Sequence, residues 1–441
     1  MRAQWDQREY TLSKEEAAAR VQRLVHDAGV ADGVAAESKA DDEPWKPAPG
    51  SAATAAADGG VITFAAIDTA AEDNARLLVR AGALNPGTLQ RRRAAWEEEW
   101  SALLKREYHS SSGVGGDRRP PYISSLSIII PVYNMEGSIG AALESVEASV
   151  ATFGGRLEVS DAWRTQPAHT RTPVLCEVII LDDASTDNTM GTIAEFVDPT
   201  LTPTLPPSVK LEYTLFRATV NGGQASGRNA AARRARGEIL FFLDADDVFL
   251  PQHLIAGWSS LNNNETVAWV KTGIAIAENQ GGERILAEWK EAMENGAPTN
   301  LAIRRSIFIF SEGYSPLDMF RRDHEDVMFT QAIEYVRQRL PIAGLTDEGQ
   351  PHQQRRYGYA KVAKATVVYN RRPGNHLDTQ IKSGKFAHPI AEQSQYDEWH
   401  RAGPERGRAV QEELEEQSAY LENKIEALLA FEAVRQIAVL V

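Results

Sequence analysis

The chain has 441 residues, a formal net charge of −14 and a single cysteine. At roughly 150 residues per domain, this length predicts about three units, or two units and a tail. The acidic balance leaves no basic surface for nucleic acid, and one cysteine excludes an intrachain disulfide framework and a thiolate zinc site. The sequence has no apolar signal region and no run approaching the ~20 apolar residues of a membrane span. We therefore expect a cytoplasmic protein without a transmembrane segment.

Residues 1–120 are predicted to form a helical and low-complexity extension. Residues 31–60 are rich in Ala, Gly, Asp and Pro, with almost no large apolar side chain, so they are expected to be disordered. Helical patterns precede and follow this stretch, at residues 14–29, 69–84 and 86–108. A linker rich in Ser and Gly then leads to the next domain.

Residues 121–385 alternate between strand and helix patterns and are predicted to form the main domain. Short apolar runs rich in Ile and Val indicate strands that are buried on both faces of a sheet. Strands are expected at residues 125–133, 177–183, 209–219 and 238–246, with helices at 136–149 and 185–197. This succession predicts an α/β fold, a doubly wound mixed sheet flanked by helices, with loop insertions at 154–173 and 198–208.

The later part of the chain is predicted to contain a helix at 252–261, a strand at 269–277 and an amphipathic run at 325–336. Residues 386–441 form a C-terminal helical segment. Its apolar spacing over residues 410–441 is compatible with a homodimer through this helix and equally with packing on the parent domain.

The fourth predicted strand ends in Asp244, Asp246 and Asp247. Carboxylates at a strand end lie where open α/β sheets bind ligands. On extended chain, side chains two residues apart point the same way, so Asp244 and Asp246 are expected to share one Mg²⁺ or Mn²⁺ ion. Such ions complete their coordination with water and substrate phosphates. Asp247 is expected to face the other way and to order the turn before Pro251.

A glycine-rich turn at residues 221–223 precedes this strand and opens a helix that carries Arg228 and Asn229. Glycines permit close backbone approach, and a guanidinium near a helix start can hold two phosphate oxygens. The pattern is neither a Walker loop, because no Lys-Ser/Thr pair follows the glycine, nor a dinucleotide fingerprint.

Five motifs, in this order, resemble those of family 2 glycosyltransferases with the GT-A fold. They lie at residues 127–134, 178–189, 221–229, 242–247 and 324–329. The resemblance covers about residues 126–380. It implies a UDP-sugar or GDP-sugar donor, a divalent cation and an inverting transfer to a hydroxyl group of a saccharide, lipid or protein acceptor.

The resemblance also implies roles for individual residues. The nucleotide-sugar contacts are Pro131, Val132, Tyr133, Asp182, Asp183, Gly223, Arg228, Asn229, Asp244 and Arg372. The base or ribose is met by Asp182 or Asp183, and the motif does not decide between them. Asp246 is the first metal ligand, joined by Asp244 and by His376 of the closing basic loop.

The acceptor side is assigned by the motif at residues 324–329. There the resemblance implies that Asp326 is the general base and that Glu325 supports the acceptor. Two acids in the first turn of a helix also favour the helix dipole, which is the structural alternative. Two other functions stay open: a catalytically silent scaffold, and a sugar-phosphate nucleotidyltransferase. The latter usually places a Gly-rich, Arg/Lys-containing loop after its first strand, where this chain has residues 131–138.

Overall fold

A computed structural model describes residues 52–55, 61–67, 123–164, 171–197, 204–277, 287–314, 325–347 and 350–370. The chain divides into two compact units. Unit one comprises Met1–Ala95, Ser124–Gly237 and Leu243–Asp246. Unit two comprises Trp96–Ile123, Glu238–Phe242 and Asp247–Val441.

Unit one combines a largely parallel sheet with helices. Its strands are β1 (Ala52–Ala55), β2 (Val61–Ile67), β3 (Ser125–Val132), β4 (Val174–Asp182) and β5 (Val209–Ala218). Its helices are α1 (Ile139–Glu158), α2 (Asp161–Arg164), α3 (Thr189–Phe196) and α4 (Gln224–Arg234). The strand order is β1-β2-β5-β4-β3, and every pair except β1 with β2 is parallel.

The predicted apolar strands form the core of unit one. Ile128, Ile129 and Ile130 of β3 are fully buried, as strands covered on both faces should be. The register pairs Val132 of β3 with Asp182 of β4, so the carboxyl ends of the two strands lie side by side. Cys176 is also buried, as a small apolar residue would be, and burial raises the pKa of its thiol.

Two expectations for this unit were wrong. Within the stretch 31–60 that was expected to be disordered, Ala52–Ala55 is a strand paired with β2, and β2 in turn pairs with β5. The other residues of that stretch lie outside the described ranges. Composition alone does not reveal that the short apolar run of β2 finds a parallel partner, and the domain boundary at 120 stays a prediction. The loop predicted at 154–173 contains the end of α1 and all of α2.

Unit two also contains a mixed sheet. Its strands are β6 (Ile239–Phe242), β7 (Val248–Phe249), β8 (Val267–Ile276), β9 (Leu301–Arg304) and β12 (Gly358–Tyr369), in the order β6-β9-β8-β12-β7, with β10 (Pro341–Asp347) and β11 (Gln350–Arg356) as a separate pair. Its helices are α5 (His253–Asn262), α6 (Ala287–Gly296), α7 (Arg305–Phe310) and α8 (Glu325–Arg339). The β8–β12 pair is parallel and the other pairs are antiparallel. The prediction of a mixed α/β sheet with flanking helices is thus confirmed.

An aromatic cluster seats α8 in unit two. The ring of Phe329 lies 4.2 Å from that of Tyr314 and 5.3 Å from that of Phe308, and Phe308 lies 5.6 Å from Phe242 of β6. Buried aromatic pairs of this kind fix a helix through both area and geometry. The cluster therefore fixes the start of α8, where Glu325 and Asp326 lie.

No helix within the described ranges has the length and apolarity needed to cross a bilayer.

Candidate functional site

The loops that follow β3 and β4 are locked together. The backbone amide of Asn134 donates to Ser185 Oγ (2.9 Å), and the side-chain oxygen of Asn134 accepts from the amide of Thr186 (2.8 Å). Asn134 and Ala184 have φ angles of 52° and 64°, in the left-handed region that an alanine rarely adopts. Strained backbone of this kind persists only where the surroundings fix it, and it is common at binding sites.

A second set of contacts extends this lock. The amide of Met135 donates to Thr189 Oγ1 (2.7 Å), and the amide of Glu136 donates to the carboxylate of Asp187 (3.2 Å). The pKa of Asp187 lies below its ordinary value: slight burial opposes this, but hydrogen bonds from Thr189 and backbone amides outweigh it. These contacts were not predicted from the sequence because their partners are more than fifty residues apart, although the Asn and Ser/Thr residues after each strand were a visible signal.

Asp182 and Asp183 have different partners. Asp182 is fully buried; its Oδ1 accepts from the amide of Ser185 (3.1 Å), and its Oδ2 lies 3.3 Å from Nε of Arg217. Burial raises the pKa of Asp182, and the hydrogen bonds from Ser185 and the charge of Arg217 oppose that rise. Arg217, half-exposed at the end of β5, is a residue of this site that the sequence analysis did not name.

Asp183 fixes the glycine turn. Its two carboxylate oxygens accept from the amides of Gly222 and Gly223, each at 2.8 Å. Gly223 has φ 82° and ψ 161°, a conformation that is essentially restricted to glycine. A carboxylate that binds two adjacent backbone amides holds this turn in one shape at the start of α4.

Gly227 serves the packing of α4 on the sheet. A Cβ at this position would lie 3.3 Å from Leu181 and 3.4 Å from Pro131, at the ends of β4 and β3. The absence of a side chain therefore lets the helix lie close to both strands. Pro131 and Val132 are buried at this strand end, whereas the Tyr133 ring is 44% exposed.

Arg228 lies within α4 and holds Asp244. Its guanidinium is fully buried, and its Nη2 lies 2.6 Å from Asp244 Oδ1 and 3.3 Å from Gln224 Oε1. The segment that carries Asp244 is itself anchored, since the amide of Leu243 donates to the carbonyl of Ile129 on β3 (2.9 Å). Arg228 was expected to contact a phosphate; the described contact is with a carboxylate of the acidic motif. Asn229, beside it, is also buried.

The acidic motif lies in a turn. Strand β6 ends at Phe242, and Ala245 and Asp246 form a turn, so the argument that extended chain aligns Asp244 with Asp246 was wrong. Both carboxylates are nevertheless partly exposed, and Asp244 Oδ2 has no hydrogen bond or ion pair with any described residue. Asp247 is buried and accepts a hydrogen bond from the amide of Asn370 (3.0 Å), which gives it a structural role in unit two.

The donor chemistry of Asp244 and Asp246 fits Mg²⁺ or Mn²⁺. Carboxylate oxygens are the ligands these ions prefer, and such ions usually keep positions for water and substrate phosphates. Within the residues the structure describes, no group of three His, Cys, Asp or Glu side chains forms a closed metal site. An ion at this turn would therefore be held by one or two carboxylates, and water and substrate phosphates would fill its remaining coordination positions. His376 and Arg372, the other predicted contacts, lie outside the described residues, as does the helix predicted at 410–441.

Unit two supplies the predicted acceptor residues. Helix α8 begins at Glu325, as the sequence predicts, and Asp326 occupies the next position. Glu325 is buried, whereas Asp326 is only partly buried. Of the two, Asp326 is therefore the more accessible to a substrate hydroxyl.

One family model and several curated proteins match part of this chain. Residues 127–320 match the family model described as glycosyl transferase family 2. A curated Haemophilus influenzae protein, named as an uncharacterized glycosyltransferase, is 32% identical over 127 residues, which cover 29% of this chain and 31% of that protein. The Escherichia coli UDP-Glc:alpha-D-GlcNAc-diphosphoundecaprenol beta-1,3-glucosyltransferase WfgD is 30% identical over 129 residues, which cover 29% of this chain and 38% of that protein. The chain thus spans about a third of the length of these relatives.

Among solved structures, the mannosyltransferase PcManGT from Pyrobaculum calidifontis, in complex with GDP-Man and Mn²⁺, is 17% identical. The superposition covers 78% of this chain and 86% of the PcManGT chain, with a TM-score of 0.38.

Proposed function

We propose that the chain transfers a sugar from a nucleoside-diphosphate donor to a hydroxyl acceptor, with inversion at the anomeric carbon, since residues 127–320 match the model of glycosyl transferase family 2. The observation that carries the proposal is the contact between Arg228 and Asp244, which fixes one carboxylate of the acidic motif and leaves its second oxygen open. The locked loops after β3 and β4 support it, since they form a rigid rim at one end of unit one.

The nucleotide is proposed to bind at that rim. Tyr133 offers an exposed ring beside the strand end, and Asp182 or Asp183 accepts hydrogen bonds from the base or ribose. Asp183 already binds two glycine amides, so a ligand contact there would be to an oxygen whose position is fixed. A preorganised acceptor of this kind needs no rearrangement when the ligand arrives.

The diphosphate is proposed to lie at the turn of Asp244 and Asp246, which would hold Mg²⁺ or Mn²⁺. A bound cation supplies charge neutralisation for the departing diphosphate, an effect worth several kcal/mol. Arg228 holds Asp244 in place through Oδ1 and leaves Oδ2 for a ligand. Its own charge contributes to the field at the turn even though its Nη2 is engaged.

The transfer requires one new bond, one broken bond and one proton acceptor. The acceptor oxygen bonds to the anomeric carbon, the bond from that carbon to the diphosphate oxygen breaks, and the nucleoside diphosphate leaves with the electron pair. The hydroxyl proton passes to Asp326, a step for which a positioned base contributes about 10²- to 10⁴-fold. Glu325, buried beside it, supports the start of α8.

A UDP-sugar is the first donor to test, because WfgD carries UDP-Glc in its name; a GDP-sugar is the second. Released UDP or GDP would be measured after incubation with UDP-Glc, UDP-GlcNAc or GDP-Man, with and without Mn²⁺, in the absence of added acceptor. Slow donor hydrolysis that requires the metal and is lost in Asp246→Asn is the expected result. Glu144→Gln, an acid-to-amide change on the exposed face of α1, is the matched control and keeps the activity. No release from any donor, with or without a panel of sugar and lipid acceptors, would favour the scaffold.

A further inference from the structure

Ser185 uses its three polar groups on three different strand ends of unit one. Its amide donates to Asp182 Oδ1 at the end of β4 (3.1 Å), and its hydroxyl oxygen accepts from the amide of Asn134, which follows β3 (2.9 Å). Its carbonyl accepts from Nη2 of Arg217 on β5 (3.1 Å). Ser185 itself is buried. One residue therefore joins the carboxyl ends of three neighbouring strands.

These strand ends lie in one row of the sheet. The register pairs Val132 of β3 with Asp182 of β4, and Asp182 with Arg217 of β5. Nε of Arg217 lies 3.3 Å from Asp182 Oδ2, so the acid and the guanidinium contact each other as well as Ser185. Asp182 is fully buried, whereas the Arg217 side chain is 39% exposed. The three residues therefore form a closed set of contacts that reaches the surface at the arginine.

The backbone on both sides of the Ser185 hydroxyl is held in conformations that need support. Ala184, which precedes Ser185, has a φ angle of 64°, and Asn134 has a φ angle of 52°. Such conformations cost free energy in non-glycine residues and persist where neighbouring contacts fix them. Asn134 is exposed and follows Tyr133 directly, so the hydrogen bond from its amide to Ser185 also fixes the backbone next to the Tyr133 ring.

We propose that Ser185 is a positioning residue for the nucleotide, because its three hydrogen bonds hold the ends of β3, β4 and β5 at one fixed spacing. This inference rests on the proposed function, in which the Tyr133 ring and an aspartate at the end of β4 contact the nucleotide. Groups that are fixed before a ligand arrives need not be ordered on binding, so a fixed spacing strengthens affinity without adding a contact. Ser185 acts through its neighbours and need not touch the ligand.

A purely structural role makes different predictions, and Ser208 offers the comparison. It is fully buried, and its hydroxyl donates to the carbonyl of Gly154 on α1 (2.8 Å). It lies directly before β5, and β4 and β5 are parallel, so it belongs to the edge of the sheet opposite to Asp182 and Arg217. If the Ser185 hydroxyl served the fold alone, Ser185→Ala and Ser208→Ala would have the same consequences.

The first test is the affinity for UDP in the presence of Mn²⁺, measured by calorimetry, with GDP in parallel. Ser185→Ala should bind the nucleotide about tenfold more weakly than the wild type, the effect of about one hydrogen bond. Ser185→Thr keeps the hydroxyl and should retain the affinity. Ser208→Ala should bind like the wild type.

Melting temperatures of the same variants separate this effect from stability. Ser208→Ala should lower the melting temperature at least as far as Ser185→Ala, because it takes a partner from a buried carbonyl, whereas the exposed Asn134 can bind water instead. Wild-type affinity in Ser185→Ala, or an equal loss of affinity in Ser208→Ala, would overturn the inference.

The second test does not depend on nucleotide binding. Burial raises the pKa of Asp182; hydrogen bonds from Ser185 and the charge of Arg217 oppose that rise, and the charge of Asp187 adds to it. In Ser185→Ala, the carbon NMR signal of the Asp182 carboxyl group should therefore titrate at higher pH than in the wild type, and in Ser208→Ala it should not move.

An unchanged titration of Asp182 in Ser185→Ala would overturn the inference even if UDP binds to the wild type. The expected shift in a protein that binds neither UDP nor GDP would instead refute the proposed function and leave Ser185 as the residue that fixes the strand ends.

Discussion

The buried guanidinium of Arg228 binds the partly exposed carboxylate of Asp244, with Nη2 and Oδ1 2.6 Å apart. Arginine bound to carboxylate through a charge-assisted hydrogen bond is among the stronger polar contacts in proteins. The Asp244 side chain is 27% exposed, so the carboxylate reaches the surface while the Arg228 side chain lies wholly inside. We conclude that α4 controls the orientation of the acidic motif.

Replacement of Arg228 by methionine should therefore weaken nucleotide binding more than it weakens the fold. The volume is kept and Asp244 can reach water, so the free energy of unfolding should fall by about 1–3 kcal/mol, less than for a fully buried pair. Binding of UDP with Mn²⁺ should fall at least tenfold. Urea denaturation and calorimetry would measure the two effects. Unchanged UDP affinity in the folded variant would show that Asp244 does not need Arg228.

Gly223→Ala should strain the glycine turn. At φ 82° and ψ 161° an alanine costs about 1–3 kcal/mol, and relaxation of the turn would remove the amides bound by Asp183. We expect a lower melting temperature together with weaker UDP binding. Gly155→Ala is the matched control: a Cβ there meets open space on helix α1, so it should be neutral or stabilising by up to about 1 kcal/mol. Equal melting temperatures for the two variants would contradict the proposed role of the turn.

Asp326→Asn should separate chemistry from donor binding. The amide keeps the shape of the side chain but accepts a proton poorly, so kcat should fall by about 10²- to 10⁴-fold. The affinity for UDP and Mn²⁺ should stay at the wild-type value, because the proposed donor contacts belong to unit one. Steady-state kinetics and calorimetry would measure both quantities, with Glu144→Gln as the acid-to-amide control. A kcat near that of the wild type would exclude Asp326 as the base.

Lys271 should give stability a characteristic pH dependence. Because the residue is buried in β8, its pKa is lowered to about 7 in the folded protein, from near 10.4 in an unfolded chain. Between these values the unfolded chain holds a proton that the folded protein has lost, so the free energy of unfolding rises with pH, by up to about 1.4 kcal/mol per pH unit. The penalty for burying the charge is therefore full below pH 7 and disappears as pH rises.

Urea denaturation at pH 7, 8 and 9 would measure this slope. The difference in unfolding free energy between wild type and Lys271→Met should change by up to about 1.4 kcal/mol per pH unit. The change should favour the wild type at higher pH. Lys364→Met should follow the wild type throughout, because its side chain is exposed. If the free energy of unfolding changed with pH equally in the wild type and in Lys271→Met, the lysine would not lose its proton on folding.

The strands of unit one could be predicted because Ile128–Ile130 and the run before Asp182 form continuous apolar segments that only a sheet buried on both faces can accommodate. The kinds of residue at the site were also predictable from the motifs. Their partners were not: the type and spacing of Arg228 fit a phosphate as well as a carboxylate, and only the fold brings Asp244 to it. Lys271, a single lysine inside the apolar strand predicted at 269–277, indicated a buried charged group that was not predicted from the sequence.

Predictions about Arg372, His376, the cytoplasmic location and a homodimer through the C-terminal helix stay predictions. The two residues and the helix lie outside the described ranges.

The most direct test of the account is a calorimetric titration of UDP, and then of GDP, into the wild type and Asp246→Ala, each with and without Mn²⁺. We predict binding of one nucleotide at about millimolar affinity or tighter, which requires the metal and is lost in the variant. Binding that is equally strong without metal or in Asp246→Ala would contradict the assignment of the acidic turn. The absence of binding for both nucleotides would contradict the transferase itself.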